Sequence, residues 1–366
     1  MQEPGVNNSS ICDSTPRITL GHFDKVSNPK SIHGIYPYRG KMSAIDAAYV
    51  ISQLPSNATL LDPFCGTGTI VYEAQSHGMK AVGVDNNPLA CIIAKGKIEY
   101  GNQESVLSIL DTAIQNASLL EEVPMMPDSA SRYFHPETAN QIMRMVSISS
   151  DFPSYLLASL YGSICVATRA CNGWLWTSTS VGRINKPLRP VDFYSTLLKK
   201  ARKHSEFINA GPLATIHKHD TRRIHEVVPD GSVDVVYTSP PYFDALDYTG
   251  YYSKIVLEIL GLDRTSIREG LIQSFSSYKE DMQSALAAID RVVHDESLII
   301  FVVGNRMVHR KLIKGSDIFT EIAPWINPYV VEREYTKTAS GLWDTINATK
   351  RKEQILVWDL ASGGRK

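Results

Sequence analysis

A strand, a glycine-containing loop and a helix follow one another near residue 60, and this order constrains the fold more than any other feature. Thr59–Asp62 is typical of a short buried strand, and the run from Thr69 predicts a helix that ends near Gly78. Ala81–Asp85 predicts a second buried strand, and Pro88 suits the first turn of another helix. Two strands joined through a helix require a parallel sheet, because parallel strands need a crossover connection.

The pattern changes after about residue 101, and strand-like runs return only at residue 213. Residues 101–212 are mainly helical in pattern, and further helical patterns occur around 250–261 and 277–294. The later strand-like runs are 213–217, 233–237, 297–303, 329–335 and 354–358. Strands that alternate with helices in this way indicate an α/β protein.

These patterns divide the 366 residues into an α/β domain, an insertion and a tail. We predict one doubly wound, Rossmann-like α/β domain formed by residues 31–100 and 213–366. A helical insertion at 101–212 interrupts it. Residues 1–30, rich in Asn, Ser and Pro, are expected to form a flexible tail or arm.

The bulk composition is that of a soluble globular protein, with 43% hydrophobic and 20% charged residues. No apolar run approaches the ~20 residues of a membrane span, and the N-terminus lacks a secretory signal pattern. The five cysteines have no metal-ligand spacing, which favours reduced thiols in a cytoplasm and no metal site. We therefore expect a cytoplasmic protein without a metal.

The loop from Asp62 to Thr69 leaves a strand end and enters a helix, as ligand-binding loops of α/β sheets do. Gly66 and Gly68 permit tight turns and close approach of a ligand, although glycines here can also be purely structural. A dinucleotide fingerprint fails because Val71 occupies its third glycine position, and the Gly-Lys of a P-loop is absent. The loop therefore predicts a different adenosine-like ligand.

Two acidic residues end the first two strands. Asp85 is well placed to accept hydrogen bonds from two ribose hydroxyls, and Asp62 could hold the amino-acid end of a ligand, directly or through water.

Thr238–Tyr242, with the sequence Thr-Ser-Pro-Pro-Tyr, follows the predicted strand at 233–237. The two prolines fix φ and remove two donors, so the carbonyl of Ser239 or Pro240 can accept a bond from a ligand. The Ser239 hydroxyl adds an acceptor, and Tyr242 offers a stacking face. A proline-rich turn with a buried tyrosine is the alternative. We call Ser239, Pro240 and Pro241 the clamp.

A clamp of this kind suits methylation of an exocyclic base amine. The amine of cytosine or adenine is a poor nucleophile because its lone pair is delocalised into the ring. Two acceptors aimed at its N–H bonds can support the charge that develops during transfer. A base inside a duplex cannot reach such a pocket, so it must be flipped out and stacked, with Tyr242 as the expected partner.

The string Asp62–Thr69 resembles the S-adenosylmethionine-binding motif of amino-methyltransferases that act on nucleic acids. Thr238–Tyr242 resembles the catalytic motif of DNA N4-cytosine and N6-adenine methyltransferases. The segment Tyr36–Met42 is similar to the one that closes over the methionine moiety, Val84–Pro88 to the ribose-binding turn, and His219–Asp220 to the place where an acid meets the adenine amine.

The resemblance implies a Rossmann-like methyltransferase sheet with S-adenosylmethionine as cofactor. The implied catalytic residues are Ser239, Pro240, Pro241 and Tyr242. The implied cofactor-binding residues are Tyr38, Asp62, Pro63, Phe64, Cys65, Gly66, Gly68, Thr69, Asp85, Asn86, Asp220 and Thr238. The order of cofactor loop, insertion and clamp is that of the subgroup with a target-recognition region between the two motifs. The resemblance therefore implies a target-recognition region at 101–212 and a catalytic domain at 31–100 and 213–366. One departure is that the insertion follows the second strand, before the Asp220 segment.

We therefore expect a site-specific methyltransferase of duplex DNA, acting in prokaryotic or viral DNA modification with or without a cognate nuclease. In the resembling family, Ser at the position of Ser239 leans toward cytosine N4, whereas Asp or Asn leans toward adenine. Cytosine N4 is thus favoured and adenine N6 is the alternative. An RNA amino-methyltransferase and a non-catalytic recognition subunit are the remaining readings, and a homodimer is compatible with the sequence.

Positive charge is concentrated at the end of the insertion, although the formal net charge is −1. Residues 183–223 contain ten Lys or Arg and three acids, which indicates either a solvated face or a surface for phosphates. The expected DNA-binding residues are Arg183, Lys186, Arg189, Lys199 and Arg202. Trp174 and Trp176 are expected in the core, and a role as wedges is the alternative. Phe243, Asp247 and Tyr248 are expected either to line the base pocket or to cap and pack the next helix.

Overall fold

The protein is described here by a computed structural model that covers residues 31–38, 42–175, 182–208, 211, 213–241, 247–274, 276–308, 311–335 and 351–366. The predicted tail at 1–30 lies outside these residues. The strands are β1 (Thr59–Asp62), β2 (Lys80–Asp85), β3 (Ala214–Lys218), β4 (Val233–Thr238), β5 (Val293–Gly304), β6 (Arg306–Val308), β7 (Lys311–Ile313), β8 (Tyr329–Tyr335) and β9 (Arg351–Asp359).

Helices separate most of the strands. They are α1 (Ala44–Ile51), α2 (Thr69–Ser76), α3 (Pro88–Ile98), α4 (Gln103–Ser118), α5 (Asp128–Ser131), α6 (Pro136–Ser147), α7 (Ser154–Cys171), α8 (Phe193–Ser205), α9 (Tyr252–Ile259), α10 (Arg264–Glu269), α11 (Tyr278–Val292), α12 (Gly315–Ile322) and α13 (Leu360–Gly363). Short 3-10 turns lie at Ile32–Gly34, Ser149–Asp151 and Thr221–Glu226.

Seven strands form one sheet in the order β3-β2-β1-β4-β5-β9-β8. The first five are parallel, whereas β9 runs antiparallel to both of its neighbours. The chain builds outward from β1 through β2 to β3 and then returns to place β4 on the other side of β1. The carboxyl ends of β1 and β4 therefore flank the point where the strand order reverses, the usual ligand position in such sheets.

The doubly wound α/β fold predicted from the sequence is confirmed by this sheet. Its two faces are covered by separate hydrophobic clusters, one containing residues of α1, α2, α3, α7 and α8, the other residues of α11, α12 and α13. The predicted strands all occur, with bounds that differ by a few residues. The hairpin β6–β7 was not predicted, because its three-residue strands are too short to show an alternating pattern.

The long helix α7 packs directly against α3 and the segment before α1. A Cβ atom at Gly96 of α3 would lie 2.5 Å from the Ser154 carbonyl oxygen, and one at Gly162 would lie 1.9 Å from the Ile35 carbonyl oxygen. Only glycine permits such close backbone approach. The helices α7 and α3 therefore share one core, and the division into a domain and an insertion remains a prediction.

The helix α8 runs back along α7. The Arg189 N–H, which precedes α8, donates to the Cys171 carbonyl at the end of α7 (2.9 Å). The Tyr155 hydroxyl, near the start of α7, donates to the Ala201 carbonyl near the end of α8 (2.5 Å). The two helices are therefore antiparallel. In the part of the chain described above, no helix is long and apolar enough to cross a membrane.

Candidate active site

A cleft of about 710 Å³ opens at the carboxyl ends of β1, β2 and β4. It brings together nine of the predicted site residues, namely Tyr38, Phe64, Gly66, Asp85, Asn86, Asp220, Ser239, Pro240 and Pro241. A smaller cavity of about 330 Å³ beside it is lined in part by Tyr38, Asp62, Phe64, Cys65, Gly66, Thr69 and Ser239. Ser239 borders both spaces, so the clamp lies where they meet.

Three predicted cofactor residues border neither space. The Pro63 carbonyl accepts a hydrogen bond from the Thr221 hydroxyl (2.5 Å). Gly68 has φ of +69° and packs against Ala94 of α3, and the Thr238 hydroxyl donates to Asp62 Oδ1 (2.7 Å). These three residues hold the walls of the site. Tyr242 and Phe243 lie outside the described residues.

Asp85 organises the loop between β1 and α2. Its Oδ2 accepts the Gly66 N–H (2.8 Å), and its Oδ1 accepts the Asn87 N–H (2.8 Å). Burial raises the pKa of the Asp85 carboxyl to about 6, although these two bonds oppose the shift. Each oxygen keeps a further lone pair, so the carboxylate can accept ligand hydroxyls while it holds the loop.

Asp62 is more deeply buried, with 2% of its surface exposed. Burial raises the pKa of its carboxyl to about 7, while the bonds from the Thr238 hydroxyl and the Phe64 N–H lower it. A carboxyl that titrates near neutrality beside an empty space is typical of a functional site.

Asp220 is engaged differently, because Arg222 already holds it. The guanidinium of Arg222 bonds both carboxylate oxygens of Asp220 and also reaches Asp281 (2.5 Å). Burial alone would raise the pKa of the Asp220 carboxyl, but the bonds from Arg222 outweigh burial and hold it below its ordinary value. Asp220 also caps the turn Thr221–Glu226. Asp220 therefore has a structural role as a cap, and its carboxylate also borders the cleft.

A hydrogen bond from α11 holds the clamp in position. The Tyr278 hydroxyl of α11 donates to the Pro241 carbonyl (2.7 Å). Since Pro240 and Pro241 have no backbone N–H, the chain after β4 presents acceptors to the cleft. Its rigidity comes from the two proline rings and the bond to Tyr278.

The residues after the clamp divide between the two expected roles. Tyr248 lines the cleft, and its ring lies nearly parallel to that of Tyr38, with centroids 6.4 Å apart. Asp247 instead accepts bonds from the Thr249 N–H (3.0 Å) and hydroxyl (2.7 Å) and pairs with Arg264. Asp247 therefore secures the turn that presents Tyr248.

Residues 270–272 complete the cleft wall, which no pattern in the sequence predicts. Asn86 Nδ2 donates to the Gly270 carbonyl (2.9 Å) and so joins the end of β2 to a segment 184 residues away. Thr221 and Asn87 also line the cleft.

A buried polar group lies beneath the loop and was also missed. Lys97, 1% exposed, places its Nζ 3.2 Å from Thr67 Oγ1 and 3.4 Å from His33 Nδ1. His33 Nε2 in turn lies 2.7 Å from Glu73 Oε1. Burial raises the pKa of the Glu73 carboxyl to about 7, although the charge of Lys97 lowers it. The group ties α2 and α3 to the loop through Thr67.

The five predicted DNA-binding residues fall into two places. Arg183, Lys186 and Arg189 are exposed on the connection between α7 and α8. Lys199 and Arg202 are exposed on the second half of α8, beside the first half of α7. Because α7 and α8 are antiparallel, the two sets lie at opposite ends of the helix pair.

The expectation of core positions for the tryptophans is wrong for Trp174, which is 57% exposed. Trp176 lies outside the described residues. Within the residues that the structure describes, no group of three or more His, Cys, Asp or Glu side chains could hold a metal ion.

Known DNA methyltransferases are similar to this chain in sequence. The family model "D12 class N6 adenine-specific DNA methyltransferase" matches residues 47–298. The chain is 24% identical over 252 residues to the Type II methyltransferase M.MvaI of Kocuria varians, covering 59% of this chain and 54% of that protein. It is 25% identical over 338 residues to the Type II methyltransferase M.BsoBI of Geobacillus stearothermophilus, covering 80% and 64%. The match thus spans between about half and two thirds of these relatives.

Proposed function

Because the chain belongs to the D12 class family of N6-adenine-specific DNA methyltransferases, we propose that it methylates the exocyclic amine of adenine in duplex DNA. The observation that carries the proposal is the position of Ser239, where the clamp borders both the large cleft and the small cavity. The two named relatives are Type II methyltransferases, which supports a role in restriction–modification.

The prediction of a cytosine-N4 DNA methyltransferase, which rested on Ser239, is wrong, because the family model that matches residues 47–298 is specific for adenine N6. The physical reason is that adenine and cytosine present the same flat amine to the clamp. A serine hydroxyl and a carbonyl can accept N–H bonds from either base. Discrimination between the bases needs contacts to the rest of the ring, which lie outside the clamp.

The methyl donor is S-adenosylmethionine, and the acceptors around the two spaces fit it. The donor supplies an activated methyl group on a sulfonium. Asp85 offers acceptors for a ribose diol from the wall of the cleft, and Asp62 offers a carboxylate to a cationic amino-acid end in the smaller cavity.

In this arrangement, the residues of the chain act by positioning and by electrostatics. The Ser239 hydroxyl and the clamp carbonyls accept the N–H bonds of the target amine and support its developing positive charge. Tyr38 and Tyr248 exclude water from the side of the cleft. The target base enters by flipping out of the duplex, and Tyr242 is proposed as its stacking partner.

Purified protein and labelled S-adenosylmethionine test the proposal, with duplex DNA and tRNA as separate substrates and mass spectrometry of the digested nucleosides. We expect N6-methyladenine, and we expect Ser239→Ala to lose at least ~100-fold in kcat, as loss of a preorganised polar group at a reacting centre does. Lys80→Ala, at the opposite edge of the sheet, is the matched control and keeps full activity. Label in N4-methylcytosine, label only in tRNA, or no transfer would each contradict the proposal.

The titration of Asp62 predicts a pH dependence of cofactor binding. A cationic ligand group favours the ionised carboxylate, so binding to the protonated form must expel a proton. Because the pKa of Asp62 is about 7 in the free protein, affinity should fall by up to about tenfold per pH unit below pH 7.

Calorimetric titration with S-adenosylmethionine between pH 5.5 and 8.5 measures this dependence. Asp62→Asn should bind more weakly at pH 8 and lose the dependence between pH 6 and 8. The further fall below pH 6 that Asp85 contributes should remain. An equal slope in the wild-type protein and in Asp62→Asn would contradict the assignment.

A further inference from the structure

Trp174 is a large aromatic side chain that the fold holds out to solvent. It follows the end of α7, and its N–H donates to the Arg169 carbonyl (2.8 Å), which closes the helix terminus. Both Gly173 and Trp174 have left-handed backbone, with φ of +66° and +65°. This conformation is unfavourable for a bulky residue, and such residues cluster at functional sites.

The end of α7 lies at the same edge of the sheet as the clamp. The segment before α1 runs antiparallel to α3. His33 lies near Lys97 at the end of α3, whereas the Tyr38 hydroxyl contacts Asn87 at the start of α3 (3.4 Å). Along this segment, Gly162 of α7 meets Ile35 and Cys165 meets Tyr36. The helix α7 therefore runs toward the start of α3, which follows the carboxyl end of β2.

A second contact connects α7 with the region after the clamp. The Tyr36 hydroxyl, which contacts Cys165, also bonds Ser253 Oγ at the start of α9 (3.5 Å). The helix α7 continues from Cys165 to its end at Cys171, a distance of roughly 9 Å at about 1.5 Å per residue. Trp174 follows this end, so it lies beyond the contact with Ser253, at the same edge of the sheet as the clamp.

Two arginine side chains lie near Trp174. The Arg169 guanidinium lies 5.4 Å from the centroid of the Trp174 ring, and the Arg189 guanidinium lies 3.9 Å from where a Gly173 Cβ would be. Asn172 holds the connection in place, since its Nδ2 donates to the Arg183 carbonyl (2.8 Å) and its Oδ1 accepts the Asn185 N–H (2.7 Å). Asp192, the acid that follows, caps α8. Two guanidinium groups therefore lie beside the residues that present the ring.

We propose that Trp174, Arg169 and Arg189 form a DNA-contact patch in which the indole stacks against the bases beside the flipped target. This inference rests on the proposed function. Exposed aromatic rings stack on any base, and apolar wedges stabilise duplexes that are locally unstacked. Arg189 neutralises a phosphate next to the wedge, and Arg169 holds the indole by its cation–π contact. The patch therefore recovers part of the unstacking cost of base flipping.

Fluorescence anisotropy with a labelled duplex substrate separates stacking by Trp174 from phosphate contact by Arg189. With S-adenosylmethionine present, Trp174→Ala should raise the Kd for duplex about tenfold, as loss of one base–aromatic stack does, without changing the salt dependence. Trp174→Phe should recover part of the affinity. Arg189→Ala should instead reduce the slope of log K against log salt by about 0.9, as loss of one phosphate contact does.

Two matched controls lie at the opposite edge of the sheet. Tyr100, after α3, is 55% exposed, and Tyr100→Ala should leave the duplex Kd unchanged. Lys80→Ala should leave the salt slope unchanged. A 2-aminopurine at the target position should brighten on binding to the wild-type protein and brighten less with Trp174→Ala. The cofactor Kd should be equal in all five variants, which excludes a general folding defect.

The outcomes distinguish this inference from the proposed function. If the wild-type protein methylates DNA and Trp174→Ala binds duplex as tightly as Tyr100→Ala, the patch is not a DNA contact and only the inference is overturned. If the wild-type protein neither binds duplex nor transfers methyl groups to it, the proposed function itself is overturned.

Discussion

Replacing Gly68 with alanine should destabilise the protein by about 3 kcal/mol and weaken S-adenosylmethionine binding at least tenfold. The left-handed backbone at Gly68 costs an L-residue about 1–2 kcal/mol. The added Cβ would also lie 2.9 Å from the Cβ and 3.2 Å from the Cα of Ala94, and overpacking of this kind costs about 1–3 kcal/mol. Since a backbone atom of α3 cannot move alone, the loop must move instead.

Gly78→Ala is the matched control for this change. Gly78 has φ of +79°, so it carries the same backbone penalty, but nothing lies within 4 Å of its added Cβ. It should lose only about 1–2 kcal/mol and bind the cofactor normally. Urea unfolding gives the stabilities and calorimetry gives the affinities. Equal losses in the two variants would show that contact with α3 does not determine the loop position.

Replacing Asp85 with asparagine should weaken S-adenosylmethionine binding at least about 100-fold. The carboxylate accepts the N–H groups of Gly66 and Asn87 through its two oxygens. An asparagine amide would direct its NH₂ at one of these donors, so the loop loses a bond and gains a repulsion. The ligand hydroxyls would also lose a charged acceptor, which contributes about 1.5–3 kcal/mol for each bond.

Asp220→Asn is the comparison for Asp85→Asn. The carboxylate of Asp220 is engaged by Arg222, so its charge is already partly neutralised and its loss should cost the cofactor less, within about tenfold. Calorimetry on both variants at pH 8, with thermal unfolding of the free proteins alongside, makes the comparison. A loss under threefold for Asp85→Asn would contradict its place at the cofactor.

The parts of the site that adjoin strands could be predicted from the sequence. Asp62, Asp85 and Ser239 each follow a short apolar run, and parallel strands bring such ends to one edge. Local sequence patterns are therefore sufficient to predict the positions of the cofactor loop and the clamp. They do not predict which base is methylated, because adenine and cytosine present the same kind of amine to Ser239.

Other parts could not be predicted, because their positions depend on distant contacts. The cleft wall at 270–272 is joined to Asn86 by a bond that spans 184 residues. Lys97 has the pattern of a solvated residue in a last helical turn, yet α3 is covered by both the sheet and α7, which encloses it. Gly96 was the one available signal, since a glycine within a helix often marks close packing.

The close contact of α7 with the segment before α1 limits how this architecture can be re-engineered. Lys200 of α8 also donates to the Gly34 (3.4 Å) and Ile35 (3.1 Å) carbonyls, so neither helix can be exchanged as a cassette without rebuilding the neighbouring backbone. By contrast, Arg183, Lys186 and Arg189 are exposed in the described part of the connection between α7 and α8. Their side chains should therefore tolerate replacement while both helices are kept unchanged.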